Sequence, residues 1–298
     1  MIFTADPGVF FDYRYQHCAP DQDFDQHFAW RIKSCARDPG NWGLELLNTA
    51  QYVQENSTRP LMVALSGGLD SELICRSLHV QGIPFVAFTV QYSDYENYYD
   101  TQWAELFCQQ HGIVQYVHQV SFEDLYTKII ERYISQGYQA VNLFRYFQLF
   151  VIDTIHSMGY TAVLGSGEQK FKIKRGHLGL PFDPGFLNSL DYGRSLGVQH
   201  WPYFFMSRPE LVLSYLNEPE VIAGTTGVRQ ADLQMSHAIK CKVYSKYFPD
   251  LAQRPKFSGM DRVHGRRLEL QAGLIQRFPE LRKKFIRLDQ LRTDLGAS

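Results

Sequence analysis

Two serines, two glycines and an aspartate fall within the stretch Ser66-Gly67-Gly68-Leu69-Asp70-Ser71. This set suits the binding of a phosphate anion. Glycines leave no side chains in the way, so backbone N–H groups can close on the anion, and a helix starting there turns its positive end toward it. Ser66 and Ser71 add hydroxyl donors, and Asp70 can hold a cation such as magnesium against the same phosphates. An ordinary strand-to-helix turn needs only a single polar cap, fewer polar groups than this stretch carries. A second glycine-bearing turn, Gly165-Ser166-Gly167-Glu168, offers another carboxylate, and Glu168 is a candidate second metal ligand. It is followed by Lys170-Phe171-Lys172-Ile173-Lys174-Arg175, in which basic and apolar residues alternate. That run fits an edge strand protected by lysines. It also fits a loop closing over phosphates, and its place directly after a site turn favours the loop. No Gly-Lys-Ser/Thr stands at the spacing of a Walker loop.

Both turns need strands to present them. The apolar run from Leu61 to Leu65 is short enough to be one buried strand, and Glu72 to Gln81 has helical apolar spacing. Pro84 to Val90 reads as a second strand and Tyr99 to His111 as a helix ending at Gly112. Ile113 to Val120 follows as a strand, Phe122 to Tyr133 and Phe144 to Met158 as helices, and Thr161 to Leu164 as a strand entering the second turn. Strands alternating with helices predict an α/β fold, a parallel sheet with helices on both faces and ligands at the carboxyl ends of the strands. Three regions are expected: an aromatic-rich cap over residues 1–59, the α/β core over 60–185, and a mainly helical region over 186–298 that completes the site. In the last region the spacing predicts helices over Pro209 to Leu216, Ala231 to Tyr247 and Arg266 to Leu291.

Composition narrows the function classes. With 298 residues and 45% hydrophobic content the chain has ample material for a core. Its net charge of −1 gives no general attraction to nucleic acid or anionic membrane, although the C-terminal region is locally basic. The five cysteines lie far apart, with no Cys-x-x-Cys pair and no zinc spacing, as expected of reduced thiols. No apolar run is long enough to span a membrane and the first residues lack a signal-peptide pattern, so a cytoplasmic location is expected.

The hexapeptide Ser66 to Ser71 resembles the pyrophosphate-binding loop of the N-type ATP pyrophosphatases, the PP-loop superfamily that includes asparagine, GMP and NAD synthetases and several tRNA-thiolating enzymes. Leu164 to Gln169 is similar to the second motif of the asparagine synthetase domain, although that motif's acidic pair is reduced here to Glu168-Gln169. Trp201 to Leu216 resembles the family's Pro-Phe and Leu-Val segment. His237 to Phe257 resembles the helix and Arg-x-Lys turn that close the asparagine and β-lactam synthetase domains. The resemblance implies an adenine nucleotide alpha hydrolase-like (HUP) fold that uses ATP and Mg2+. It places adenine near Leu65 and Val90, and the β- and γ-phosphates on Ser66, Gly67, Gly68, Asp70, Ser71 and Gly165. Asp70 and Glu168 become metal ligands, and Lys256 a catalytic cation. Tyr138, upstream of a helix, is a candidate for proton transfer.

The activity implied is an AMP-forming carbon–nitrogen ligase, in which a small-molecule carboxylate is adenylated and then converted to an amide by ammonia or another amine. Asparagine synthetases carry an N-terminal glutaminase whose nucleophile is a cysteine at the start, and here residue 2 is Ile2, so free ammonia, a separate glutaminase or a carrier partner is expected to serve. The alternative is a superfamily member that modifies a tRNA base or nucleotide, supported by the basic C-terminal region. The missing cysteine pairs speak against its thiolating forms.

Overall fold

Extended aromatic segments open the described part of the chain. The computed structural model describes residues 6–15, 28–93, 95–175, 177–182, 185–228, 233–252, 261–278 and 284–296. β1 (Phe11–Tyr15) pairs antiparallel with β2 (Phe28–Ile32). α1 (Trp42–Glu55) follows, capped by the Asn41 side chain, which accepts from the Leu44 amide. Then come β3 (Leu61–Ala64), α2 (Leu69–Val80), β4 (Phe85–Tyr92), α3 (Tyr98–His111) and β5 (Gln115–Val120). α3 stops where Gly112 takes a left-handed conformation, φ +64°. A π-helical segment, Asp124–Ile129, runs into α4 (Ile130–Ser135), and α5 (Leu143–Ser157) leads to β6 (Thr161–Leu164).

These strands form one parallel sheet in the order β5-β4-β3-β6. The chain builds outward from β3 through β4 to β5, then crosses back to lay β6 on the other side of β3. The order therefore reverses between β3 and β6, where open α/β sheets leave a crevice at the carboxyl ends of the strands. Ala64 stands beside Leu164 in the register, so the turns after both strands start level with one another. β3 and β6 are buried along nearly their whole length, as expected for short apolar strands covered on both faces.

The C-terminal region is mainly helical, as expected, and is preceded by a small second sheet to which it adds one strand. β7 (Lys172–Lys174), β8 (His177–Phe182) and β9 (Lys284–Arg287) form a second, antiparallel sheet in that order. The loop expected over Lys170 to Arg175 is thus corrected: its centre is an edge strand with exposed lysines at positions 172 and 174. α6 (Phe186–Ser195), a short 3-10 turn (Phe204–Met206), α7 (Pro209–Leu216), α8 (Pro219–Thr225) and α9 (Leu233–Tyr247) follow. α7 and α8 each begin with a proline, whose missing N–H is one a first helical turn leaves unbonded in any case. The single helix expected from Arg266 to Leu291 is instead α10 (Asp261–Arg277), β9 and α11 (Leu288–Leu295).

The N-terminal strands are tied to late parts of the chain. The Phe10 amide donates to the Met206 carbonyl (2.7 Å), the Cys35 amide to the Leu295 carbonyl (3.1 Å), and Phe11 packs against Phe186. Trp201 lengthens the main sheet by lying parallel to Val163. Beside it, the Ala162 amide donates to His200 Nδ1 (2.9 Å). That bond leaves the His200 proton on Nε2, which faces His156 Nδ1 at 3.2 Å. Burial, the neighbouring His156 and Arg59 together push the His200 pKa down to about 4.

Candidate active site

The Ser66 to Ser71 turn is closed by its own hydroxyls. Ser71 Oγ donates to the Gly68 carbonyl (3.0 Å) and accepts from the Ser66 amide (3.2 Å). Its one proton is then used, so Ser66 Oγ, 3.2 Å away, is the donor to Ser71 and in turn accepts from the Gly68 amide (3.3 Å). Thr89 Oγ1 bonds the Leu65 carbonyl (2.8 Å) and anchors the turn to β4. Gly67 has φ +84°, and a Cβ there would lie 1.8 Å from the Asp100 carbonyl oxygen, so only glycine fits. Asp70 and Glu72 occupy the first turn of α2, where acidic groups complement the helix dipole.

The second turn presses on the first. A Cβ on Gly165 would stand 2.8 Å from the Ser71 nitrogen and 2.9 Å from its Cα. The neighbouring Ser166 hydroxyl accepts from Gln148 Nε2 (2.9 Å), and the Gln148 carbonyl accepts from Arg145 (3.0 Å). Gln148 is fully buried, on α5. The Phe171 amide bonds Ser236 Oγ on α9 (3.0 Å), which draws the segment after Glu168 against that helix.

α9 delivers the group that sequence reasoning missed. Lys240 Nζ lies 2.7 Å from Asp70 Oδ2, and the Tyr244 hydroxyl donates to Asp70 Oδ1 at 2.7 Å. Burial alone would raise the Asp70 pKa, but Lys240 and Tyr244 outweigh it and hold the carboxyl below its ordinary value. Burial likewise works to lower Lys240, and the Asp70 and Glu168 carboxylates reverse the sign and raise it. Tyr244 is pushed well above the usual phenol range, by burial first and then by Asp70, and stays a neutral donor. Glu168 pairs with Lys170 (2.7 Å). Two contacts fix α9 itself in place and a third, through Asp250, holds the turn just after it. Tyr244 stacks on Trp42 (5.1 Å between centroids), Asp250 meets Arg76 (2.5 Å), and Lys246 meets Glu218 (2.6 Å). The spacing Lys240 to Tyr244 is one helical repeat, which puts both on one face of α9. That periodicity was in the sequence, whereas its partner Asp70 is remote along the chain.

Both turns open on one cavity of about 760 Å³. Ser66, Gly67, Gly68, Asp70, Ser71, Gly165 and Glu168 line one part of it, with Lys170 and Lys240 beside them. Leu65, Phe88, Val90, Tyr92 and Val151 form an apolar wall. Phe10, Arg145, Phe186, Tyr203 and Met206 line a further part, where Phe186 and Tyr203 stack at 3.5 Å and Arg145 lies 5.6 Å from each ring. Nearly all the residues singled out in the sequence thus meet in one place. Tyr138 is the exception: it is not among the lining residues, and its ring packs edge-on against Tyr192. Lys256 lies outside the described residues.

Among the described residues no group of three or more His, Cys, Asp or Glu side chains is placed to hold a metal ion. Two carboxylates lining a cavity, Asp70 and Glu168, do fit magnesium, which commonly takes one or two carboxylates and completes its shell with phosphate oxygens and water. The basic C-terminal region is partly neutralised, since Arg266 pairs with Glu96 and Glu123, and Arg277 with Glu131. Among the described residues no helix is long and apolar enough to cross a membrane.

Comparison with known proteins bears on the α/β part. Residues 44–168 match the family model for asparagine synthase, and they include both glycine turns. No curated protein matches the sequence. Among solved structures, an NMN synthetase from Francisella tularensis aligns at 14% identity and a TM-score of 0.36 over 83% of this chain and 97% of its own. An NH3-dependent NAD synthetase from Campylobacter jejuni subsp. jejuni aligns at 14% identity and a TM-score of 0.34, over 74% of this chain and 99% of its own.

Proposed function

We propose that this chain, which carries an asparagine synthase domain of the PP-loop superfamily over residues 44–168, is an ATP-dependent synthetase that adenylates a small-molecule carboxylate and converts it to an amide. The observation that carries the reading is the meeting of the two glycine turns at the sheet's switch point, with Lys240 bonded to Asp70 of the first.

In this reading the triphosphate lies over the Ser66 to Ser71 turn and is received by the N-terminus of α2, while the two serine hydroxyls hold the turn's shape through their bonds within it. Adenine packs on the Leu65 and Val90 wall. Asp70 and Glu168 would hold magnesium, which supplies charge neutralisation for the departing pyrophosphate. A substrate carboxylate oxygen attacks the α-phosphorus, the α–β bridging oxygen leaves with pyrophosphate, and an acyl-adenylate remains. The nitrogen of ammonia or an amine then attacks the acyl carbon, loses a proton, and AMP departs. Lys240 and Lys170, and Lys256 by its place in the motif order, supply positive charge where negative charge grows in the transition state. Positioning and electrostatics account for most of the acceleration in this scheme.

The test is ATP–pyrophosphate exchange across a panel of carboxylic acids and amino acids, followed by amide formation with ammonium. Exchange dependent on one carboxylate, lost in Asp70→Asn, is the expected result. Exchange that needs no carboxylate, or a product containing ADP, would refute the reading.

A further inference from the structure

The carboxylate expected to receive the metal is already engaged. One Asp70 oxygen is on Lys240 Nζ and the other on the Tyr244 hydroxyl, each at 2.7 Å. Glu168 also has a lysine at 2.7 Å, but the two pairs differ in a way that matters. The Lys170 side chain is 45% exposed and can swing into water, whereas that of Lys240 is only 8% exposed. Lys240 is also carried by a helix that Trp42 and Glu218 clamp in place, with Arg76 holding the turn that follows it.

Charge counting sharpens the point. Asp70, Glu168, Lys170 and Lys240 sum to zero. A lone divalent ion would make this cluster strongly positive at the N-terminus of α2, where positive charge is disfavoured. The same ion arriving with a triphosphate brings net negative charge, which the helix end and the loop amides favour.

We infer that Lys240 is a built-in counter-ion that closes Asp70 to free divalent metal, so that the ion enters this site only together with the nucleotide's phosphates. This rests on the reading of Asp70 as the loop's metal ligand. In the nucleotide-free protein Lys240 holds the aspartate oxygen, and its ammonium passes to phosphate oxygen when the nucleotide complex takes its place. The arrangement also keeps bulk magnesium from filling the loop ahead of ATP.

Manganese binding followed by electron paramagnetic resonance tests this without any turnover. Nucleotide-free wild-type protein is expected to show no saturable Mn2+ site below millimolar concentration. Lys240→Met, and Lys240→Gln as the closer mimic in shape and polarity, are expected to gain a site at least tenfold tighter that disappears when Asp70→Asn is added. Saturable sub-millimolar Mn2+ binding by nucleotide-free wild type overturns the inference whatever the variants do, as does unchanged binding in folded Lys240 variants. The ligand assignment beneath it is checked separately. If Mn2+ bound in the complex with ATP survives Asp70→Asn, the proposed site fails rather than the role of Lys240.

Discussion

Removing the titratable ring of His200 should flatten the loss of stability on mild acidification. His200 is 2% exposed, its Nδ1 accepts from the Ala162 amide, and its Nε2 faces His156. Burial first, then the neighbouring His156 and Arg59, hold its pKa down to about 4, and a second proton would have to sit on Nδ1, directly opposite an N–H donor. In the unfolded chain the same ring titrates near 6.5. The folded pKa is the lower one, so the unfolded state takes up protons first and stability falls as pH drops below that unfolded value. Between pH 8 and pH 5 this single group should cost about 2 kcal/mol, and about 3 kcal/mol once the pH is below both values. Asp70, Glu45 and Glu218 have lowered carboxyl pKa values and lose their contributions only at more acidic pH. His111 and His118, whose lowered values have causes that do not include His200, act alike in both proteins and cancel in the difference. His200→Asn keeps an acceptor at the Nδ1 position, so it should retain the Ala162 bond. Urea unfolding of both proteins at pH 8 and pH 5 is the assay. Wild type should lose about 2 kcal/mol more than the variant over that interval, and equal losses would refute the assignment.

Gly165→Ala should loosen the contact between the two turns, since its Cβ falls under 3 Å from the Ser71 backbone. The expected cost is about 1–3 kcal/mol in unfolding, with at least a tenfold loss of ATP affinity by calorimetry. Gly273→Ala, with nothing within 4 Å of its Cβ on α10, should instead be neutral or slightly stabilising. Tyr244→Phe preserves the stack on Trp42 but removes one donor to Asp70, which should destabilise the fold by about 1.5–3 kcal/mol. It should also raise the Asp70 pKa, readable as an acid limb of stability displaced to higher pH.

What the sequence made legible was local. The Ser66 turn, its flanking strand and helix, the strand into Gly165 and the helix at Pro209 all follow from a few adjacent residues, and the structure has them as expected. Lys240 was not legible because its meaning depends on Asp70, far away in sequence, and a lysine on a helix face looks like any solvated one. Lys172 to Lys174 alternates in a way that suits strand and loop equally, and only the neighbouring β8 decides between them. The break after Arg277 is legible: Pro279 stands two residues past the end of α10, and Phe278, which precedes it, is biased away from helix. Apolar periodicity nevertheless runs on across it, because Leu288 and Leu291 continue the spacing by coincidence. Helix α6 is hard to read in the sequence because its small and polar residues Asn188, Ser189 and Gly193 blur the apolar stripe, although the packed core buries them.

The clasp between the chain's early and late parts has a consequence for how the protein emerges during synthesis. Phe10 finds its backbone partner at Met206, and Cys35 at Leu295. The β1–β2 pair therefore leaves the ribosome long before anything exists for it to hold. Trp201 must likewise arrive before the outer side of β6 is covered. Through most of translation the α/β layer stands without either flank, exposing aromatic surface that the finished molecule buries. Folding dominated by such distant contacts is slow, because each closure must be made against chain entropy before it is rewarded. A chain in that condition carries the exposed apolar surface that makes partly folded species prone to aggregate.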